Sequence, residues 1–128
     1  MALPFRVEEI DHVVFRCRDQ ARMLEFYSGV LGLAEFNRVP HNGIIQLRAG
    51  RGVIDLVPAP GERDAAARNV DHVCLRIDTA DIGAAMGYLR ERGIEAAGEP
   101  VMRGDGVSFF IRDPEGNRIE LKRALPPA

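Results

Sequence analysis

The chain has no tryptophan, two cysteines and no long apolar run. Each scarcity removes a class of function. Phe, Tyr and Trp together make up 6% of the residues, too few to suggest stacking platforms for single-stranded nucleic acid. The net charge is −2, so there is no basic surplus to attract nucleic acid or an anionic membrane. Cys17 and Cys74 stand in no metal or redox spacing, which predicts reduced thiols and a cytoplasmic protein. No stretch approaches the roughly 18 apolar residues of a membrane span. The opening Met1-Ala2-Leu3-Pro4-Phe5-Arg6 lacks the apolar run of a signal peptide.

What is present is a repeat. Ile10-Asp11-His12-Val13-Val14-Phe15-Arg16 returns, nearly intact, as Val70-Asp71-His72-Val73-Cys74-Leu75-Arg76. A duplication of this kind sets the fold before any local propensity does. The 128 residues are one domain's worth of chain, and a hydrophobic fraction of 46% supports a sizeable core. The expected organisation is one domain over 1–128: a first module at about 7–58, a linker at about 59–69, and a second module at about 70–123.

Both modules read in the same order. In the first, a strand over 10–17 leads to a helix over about 20–31, with Asp19 as N-cap and Gly32 as its stop. Leu24, Tyr27 and Leu31 form its apolar stripe, with Met23 and Val30 beside them. Strands follow near 34–39, at 43–48 and at 53–57. In the second, a strand over 70–77 precedes a helix over about 81–92 closed by Gly93. Short strands are expected at 94–97 and 101–102, then at 107–112 and 118–122. The fold class is α+β, two βαβββ modules.

Alternation along the strands gathers the chemistry. Burying Val13 and Phe15 sends His12, Val14 and Arg16 to the other face, and His72 follows by the same rule. The last strand of each module reads apolar–acid–apolar, Ile54-Asp55-Leu56 and Ile119-Glu120-Leu121. Burying the apolar pairs turns Asp55 and Glu120 to the face that carries the histidines. Each residue alone is more simply a core or surface histidine, or a solvated acid. Recurrence at matched strand positions favours a metal site of His12, Asp55, His72 and Glu120. Two imidazoles and two carboxylates suit Zn, Ni, Co, Mn or Fe(II), with room for water or substrate oxygens. A metal so held would polarise a carbonyl or hold an enediolate, and a loosely held carboxylate would move a proton.

Asp11-His12-Val13 with Phe26-Tyr27 and Leu31-Gly32-Leu33 resembles the first module of the vicinal oxygen chelate superfamily. Asp113-Pro114-Glu115-Gly116-Asn117-Arg118-Ile119-Glu120-Leu121 resembles the end of its second module. That superfamily holds glyoxalase I, bleomycin-resistance proteins, extradiol dioxygenases, fosfomycin-modifying thiol transferases and methylmalonyl-CoA epimerase. The resemblance implies a cupped eight-stranded sheet and a homodimer, often with each site shared between subunits. It is nearest to short bacterial glyoxalase I-like proteins, whose metal positions match His12, Asp55, His72 and Glu120. Asp55 departs from the usual Glu, which leaves a His12, His72 and Glu120 triad as the smaller set.

The activity so implied is that of a divalent-metal-dependent lyase or isomerase acting next to a carbonyl through a metal-bound enediolate. Glu120 would be the catalytic carboxylate that moves the proton, with Asp55 second. Arg16 fits the place where glyoxalase I holds a carboxylate of glutathione, whereas the Asn expected after the second ligand is Ala59. Arg76 mirrors Arg16, and two arginines on this face would suit a small anionic substrate; the plainer reading has both at strand ends in solvent. Cys74 lies between His72 and Arg76 as a wall residue of the substrate site rather than a nucleophile. Phe36, Phe109 and Met102 are expected in the core, and His41 on a surface loop. The alternatives are a metal-free small-molecule binding protein of the antibiotic-binding kind, or another metalloenzyme of the superfamily, an extradiol dioxygenase or a thiol transferase.

Overall fold

The computed structural model describes residues 8–61, 72–103 and 106–124. The expected linker lies largely outside these, as do Asp71, the Gly104-Asp105 turn and the tail from Leu125. Two four-stranded sheets are present. One has the order β1-β4-β3-β2, from β1 (His12–Cys17), β2 (Ala34–Val39), β3 (Ile44–Ala49) and β4 (Gly52–Pro58). The other has the order β5-β8-β7-β6, from β5 (Val73–Arg76), β6 (Val101–Arg103), β7 (Gly106–Arg112) and β8 (Arg118–Ala124). The first and last strands of each module run parallel at one side of its sheet, and the rest pair antiparallel. The α+β class and the βαβββ order stand as expected. The eight strands are hydrogen-bonded as two sheets of four rather than as one.

Helix α1 (Gln20–Leu24) is capped by the Asp19 carboxylate, which accepts from the Arg22 amide at 3.1 Å. It continues as π-helical turns over Glu25–Val30. The expected single α-helix therefore widens at Ser28-Gly29, two weak helix formers. The wider turn places both Phe26 and Tyr27 in the core. Helix α2 (Ile82–Glu91) is capped by Asp81 on the Gly83 amide at 2.8 Å. Gly93, at φ 79°, turns its end so that the Ile94 amide reaches the Leu89 carbonyl at 2.9 Å.

One difference lies in the second module. No strand forms at 94–97. Ala97 makes one backbone bond to Phe110, and the chain then turns at Gly98, φ 82°, ahead of Pro100. Pairing cannot propagate through that turn. Phe109 is in the core as expected, but Phe36 and Met102 are exposed, on β2 and β6, each at one edge of its sheet.

The inward faces of both sheets share one core, in which Phe15, Met23, Tyr27, Leu47 and Leu56 meet Phe109, Ile111, Ile119 and Leu121. A polar clamp fixes the halves at its edge. The side chain of buried Asp113 accepts from the Tyr27 hydroxyl at 2.7 Å, the Glu115 and Asn117 amides at 2.9 Å, and Asn117 Nδ2 at 2.7 Å. Next to it, Glu115 takes the Arg18 and Asp19 amides at 2.8 and 2.7 Å. Burial and the charge of Asp113 push the Tyr27 phenol far above its usual pKa, so it stays a donor.

Tyr27→Phe should therefore destabilise by about 1–2 kcal/mol, and Asp113→Ala by about 3 kcal/mol or more, because the alanine strands several buried donors. Urea unfolding with an unchanged slope measures both. An unaltered midpoint in Tyr27→Phe would remove the clamp from the account of stability.

Candidate functional site

Strand parity holds. Phe15 and Cys17 are buried while His12, Val14 and Arg16 are exposed. The acids turn to the same outer face as the histidines, yet they are not solvated: Asp55 is 8% and Glu120 7% exposed. A buried carboxylate needs partners, and each has them.

In the second sheet, Glu120 sits opposite Cys74 on β5 and Phe110 on β7. Its Oε1 lies 3.1 Å from His72 Nε2. Its Oε2 accepts from Ser108 Oγ at 2.6 Å. The Phe110 ring meets the His72 ring edge-on at 5.6 Å between centroids and carries the Arg118 guanidinium 4.1 Å from its own centre. The imidazole and carboxylate are thus held in place by a hydroxyl and an aromatic wall.

The first sheet repeats the plan with different supports. Asp55 sits opposite Gln46, whose Nε2 donates to Asp55 Oδ1 at 2.9 Å; Asn37 in turn donates to Gln46 at 2.8 Å. His12 turns Nδ1 to Asp11 Oδ1 at 2.8 Å. That bond raises the His12 pKa, against an opposing desolvation effect and with the charge of Asp55 adding to it. It also leaves Nε2 as the nitrogen available to a ligand.

Of the four expected metal ligands, His72 and Glu120 are in contact, and His12 lies within reach of the charge of Asp55. Among the described residues, no group of three or more His, Cys, Asp or Glu side chains is arranged to hold a metal ion. The modules share a core on the helix side of both sheets, and the polar faces lie on the other side. Arg16 and Arg76 are exposed near the strand ends. Cys74 is exposed on the Glu120 face, with its thiol pKa raised by partial burial and by Glu120, against the pull of Lys122 and Arg76. His41 is an exposed turn residue.

Sequence reasoning missed Gln46, Asn37, Ser108 and Phe110. A signal existed for two of them. Gln46 is the polar residue of Ile45-Gln46-Leu47, and Ser108 precedes Phe109 with outward parity. Their partnership with the acids depends on hairpin register, which parity alone does not give.

Residues 9–121 match the model of the Glyoxalase/Bleomycin resistance protein/Dioxygenase superfamily. The chain belongs to that superfamily. It is similar to the glyoxalase domain-containing protein RDO1 of Mycosarcoma maydis, with 28% identity over 90% of this chain and 68% of that protein. Among solved structures it resembles VPC_CASS1 from the mobile metagenome of V. Pseudocholerae (30% identity, 97% of this chain and 100% of that one, TM-score 0.78). It also resembles TnmS3, an antibiotic binding protein from Streptomyces sp. CB03234 (23% identity, 94% and 99% coverage, TM-score 0.73), a likeness of fold. Superfamily membership agrees with a small-molecule site. Among the described residues no helix is long and apolar enough to cross a membrane.

His12 should titrate above its ordinary 6.5 in an NMR pH series, and Asp11→Asn should bring it down. A raised folded pKa stabilises the fold on the acid side, and that contribution fades as pH rises through it. The stability difference between wild type and Asp11→Asn should therefore be larger near about pH 5 than near about pH 8. A His12 titration indifferent to Asp11→Asn would remove that carboxylate as its orienting partner.

Proposed function

We propose that the protein is a divalent-metal-dependent lyase or isomerase acting at the carbon next to a carbonyl. In this reading its site is completed by two copies of the chain, the His12–Asp55 face of one meeting the His72–Glu120 face of another. The observation that carries the reading is the His72–Glu120 pair at 3.1 Å, buttressed by Ser108 on the second carboxylate oxygen. A carboxylate and an imidazole fixed by outer hydrogen bonds are typical of metal-ligand pairs. Asp11 on His12 Nδ1 is a second arrangement of that kind.

The donor set fits a borderline cation once the two pairs meet, and falls short among the described residues of one chain. Homodimerisation follows from the same shortfall. Val14, Phe36 and Val101 are exposed apolar residues around these outer faces and suit a buried interface. When bound, the metal would supply Lewis acidity toward two adjacent substrate oxygens. His12, His72 and Glu120 would hold it, with Asp55 as the fourth. Glu120 would move the proton: it is buried against His72, and Ser108 aims it. Asp55, tied through Gln46 to Asn37, is the second choice.

A metal-free binding protein is the other reading. It is favoured by the likeness in fold to an antibiotic binding protein.

Metal analysis after chelation and reloading with Zn, Ni, Mn or Fe(II) separates the two. About one ion per His12–Asp55/His72–Glu120 pairing, lost in His12→Ala and in His72→Ala, is expected. Failure to take up any of the four would leave the binding-protein reading. Given a substrate, Glu120→Gln should lower kcat by about 10²–10⁴ with the fold retained, and full activity would remove its role.

A further inference from the structure

A groove of about 500 Å³ lies between the two modules, and neither His72 nor Glu120 lines it. Its walls are helix α1 with its π-helical turns, the connection after α2, and the end of β7 with the turn that follows. Phe26 and Ile111, both members of the shared core, form its floor with the half-buried Val30, Ile94 and Pro114. An apolar floor in a hollow of this size suits the body of a small molecule.

The rim is charged. Arg22, Arg92 and Arg112 stand there with Glu25 and Glu95, while the Asp113 carboxylate is already taken up by the clamp on Tyr27. Among the described residues no salt bridge joins these arginines to these glutamates. Two of the guanidiniums are oriented in advance. Arg92 lies 3.6 Å from the centre of the Tyr88 ring and donates to the Tyr88 carbonyl at 3.0 Å. Arg112 donates to the Gly116 carbonyl at 2.8 Å. A guanidinium has N–H donors to spare after one such bond. The Tyr88 hydroxyl donates to the Val30 carbonyl at 2.8 Å, which ties the Arg92 wall to the π-helical wall.

We propose that this groove is a second small-molecule site, for a carboxylate carried on an apolar body. The rim decides the charge. Its arginines outnumber its free glutamates, so an anion is favoured over a cation. Arg92 and Arg112 are already held, so they lose less freedom on binding than the exposed, unbonded side chains of Glu25 and Glu95 would. A guanidinium fork also matches a carboxylate with two parallel bonds. The floor decides the rest: Phe26, Val30, Ile94 and Ile111 reward apolar surface that a bare inorganic anion lacks. The occupant is then a small aromatic or branched acid. The site stands apart from the His72–Glu120 pair, so it does not depend on the metal reading.

The test titrates phenylbutyrate into the whole chain and follows amide NMR at constant ionic strength. Phenylbutylamine supplies the same body with the opposite charge, and butyrate the same charge with little body. Saturable shifts centred on residues 25–30, 92–97 and 111–114 are expected with phenylbutyrate. Arg92→Gln and Arg112→Gln, both at exposed positions, should each weaken its binding about tenfold. Glu95→Gln should tighten it, and His72→Ala should leave it unchanged. No saturable shift, shifts centred instead on residues 72–76 and 118–122, or an affinity unchanged in both arginine variants would overturn the site. Equal binding of the amine would overturn its charge preference, and equal binding of butyrate would overturn the part given to the apolar floor.

Discussion

Asp113 is the fixed point of the molecule. Its buried carboxylate would be costly without donors, and the chain supplies them from both modules. Tyr27 reaches it from the first module, while Asn117 and the Glu115 amide reach it from its own turn. Glu115 then grips the amides that begin helix α1. The Asp113–Asn117 segment therefore joins two halves that have no strand pairing between their sheets. With the joint on the helix side, the shared core forms there, and each sheet is left with one polar outer face.

The outer faces then divide the chemistry. In each sheet the first and last strands of the module pair in parallel, which places the histidine of the first close to the acid of the last. Each acid is buried and held by a neighbouring strand, Asp55 by Gln46 and Glu120 by Ser108. The supports differ, so the two halves are not interchangeable. Glu120 touches its histidine directly, whereas His12 is oriented by Asp11.

Much of this was legible in the sequence. The repeat of Asp-His-Val located both modules, and period-2 alternation assigned His12, Asp55, His72 and Glu120 to outer faces. Helix caps at Asp19 and Asp81 and the stop at Gly93 were readable because they depend on neighbours within a few residues. The π-helical widening after Leu24, the absent strand at 94–97 and the exposure of Phe36 and Met102 were not. The first two depend on competition between local turns and sheet pairing. The last depends on which strands end up at an edge.

The sequence by itself determined the duplication, the α+β class and the face to which each polar residue turns, because these follow from local periodicity and recur in both halves. Only the tertiary structure decided that Glu120 meets His72 while His12 turns to Asp11. It alone decided that Asp55 and Glu120 are buried among Gln46 and Ser108, and that Asp113 ties Tyr27 to the second module. Those outcomes rest on register and on packing between residues far apart in the chain, which no local pattern encodes.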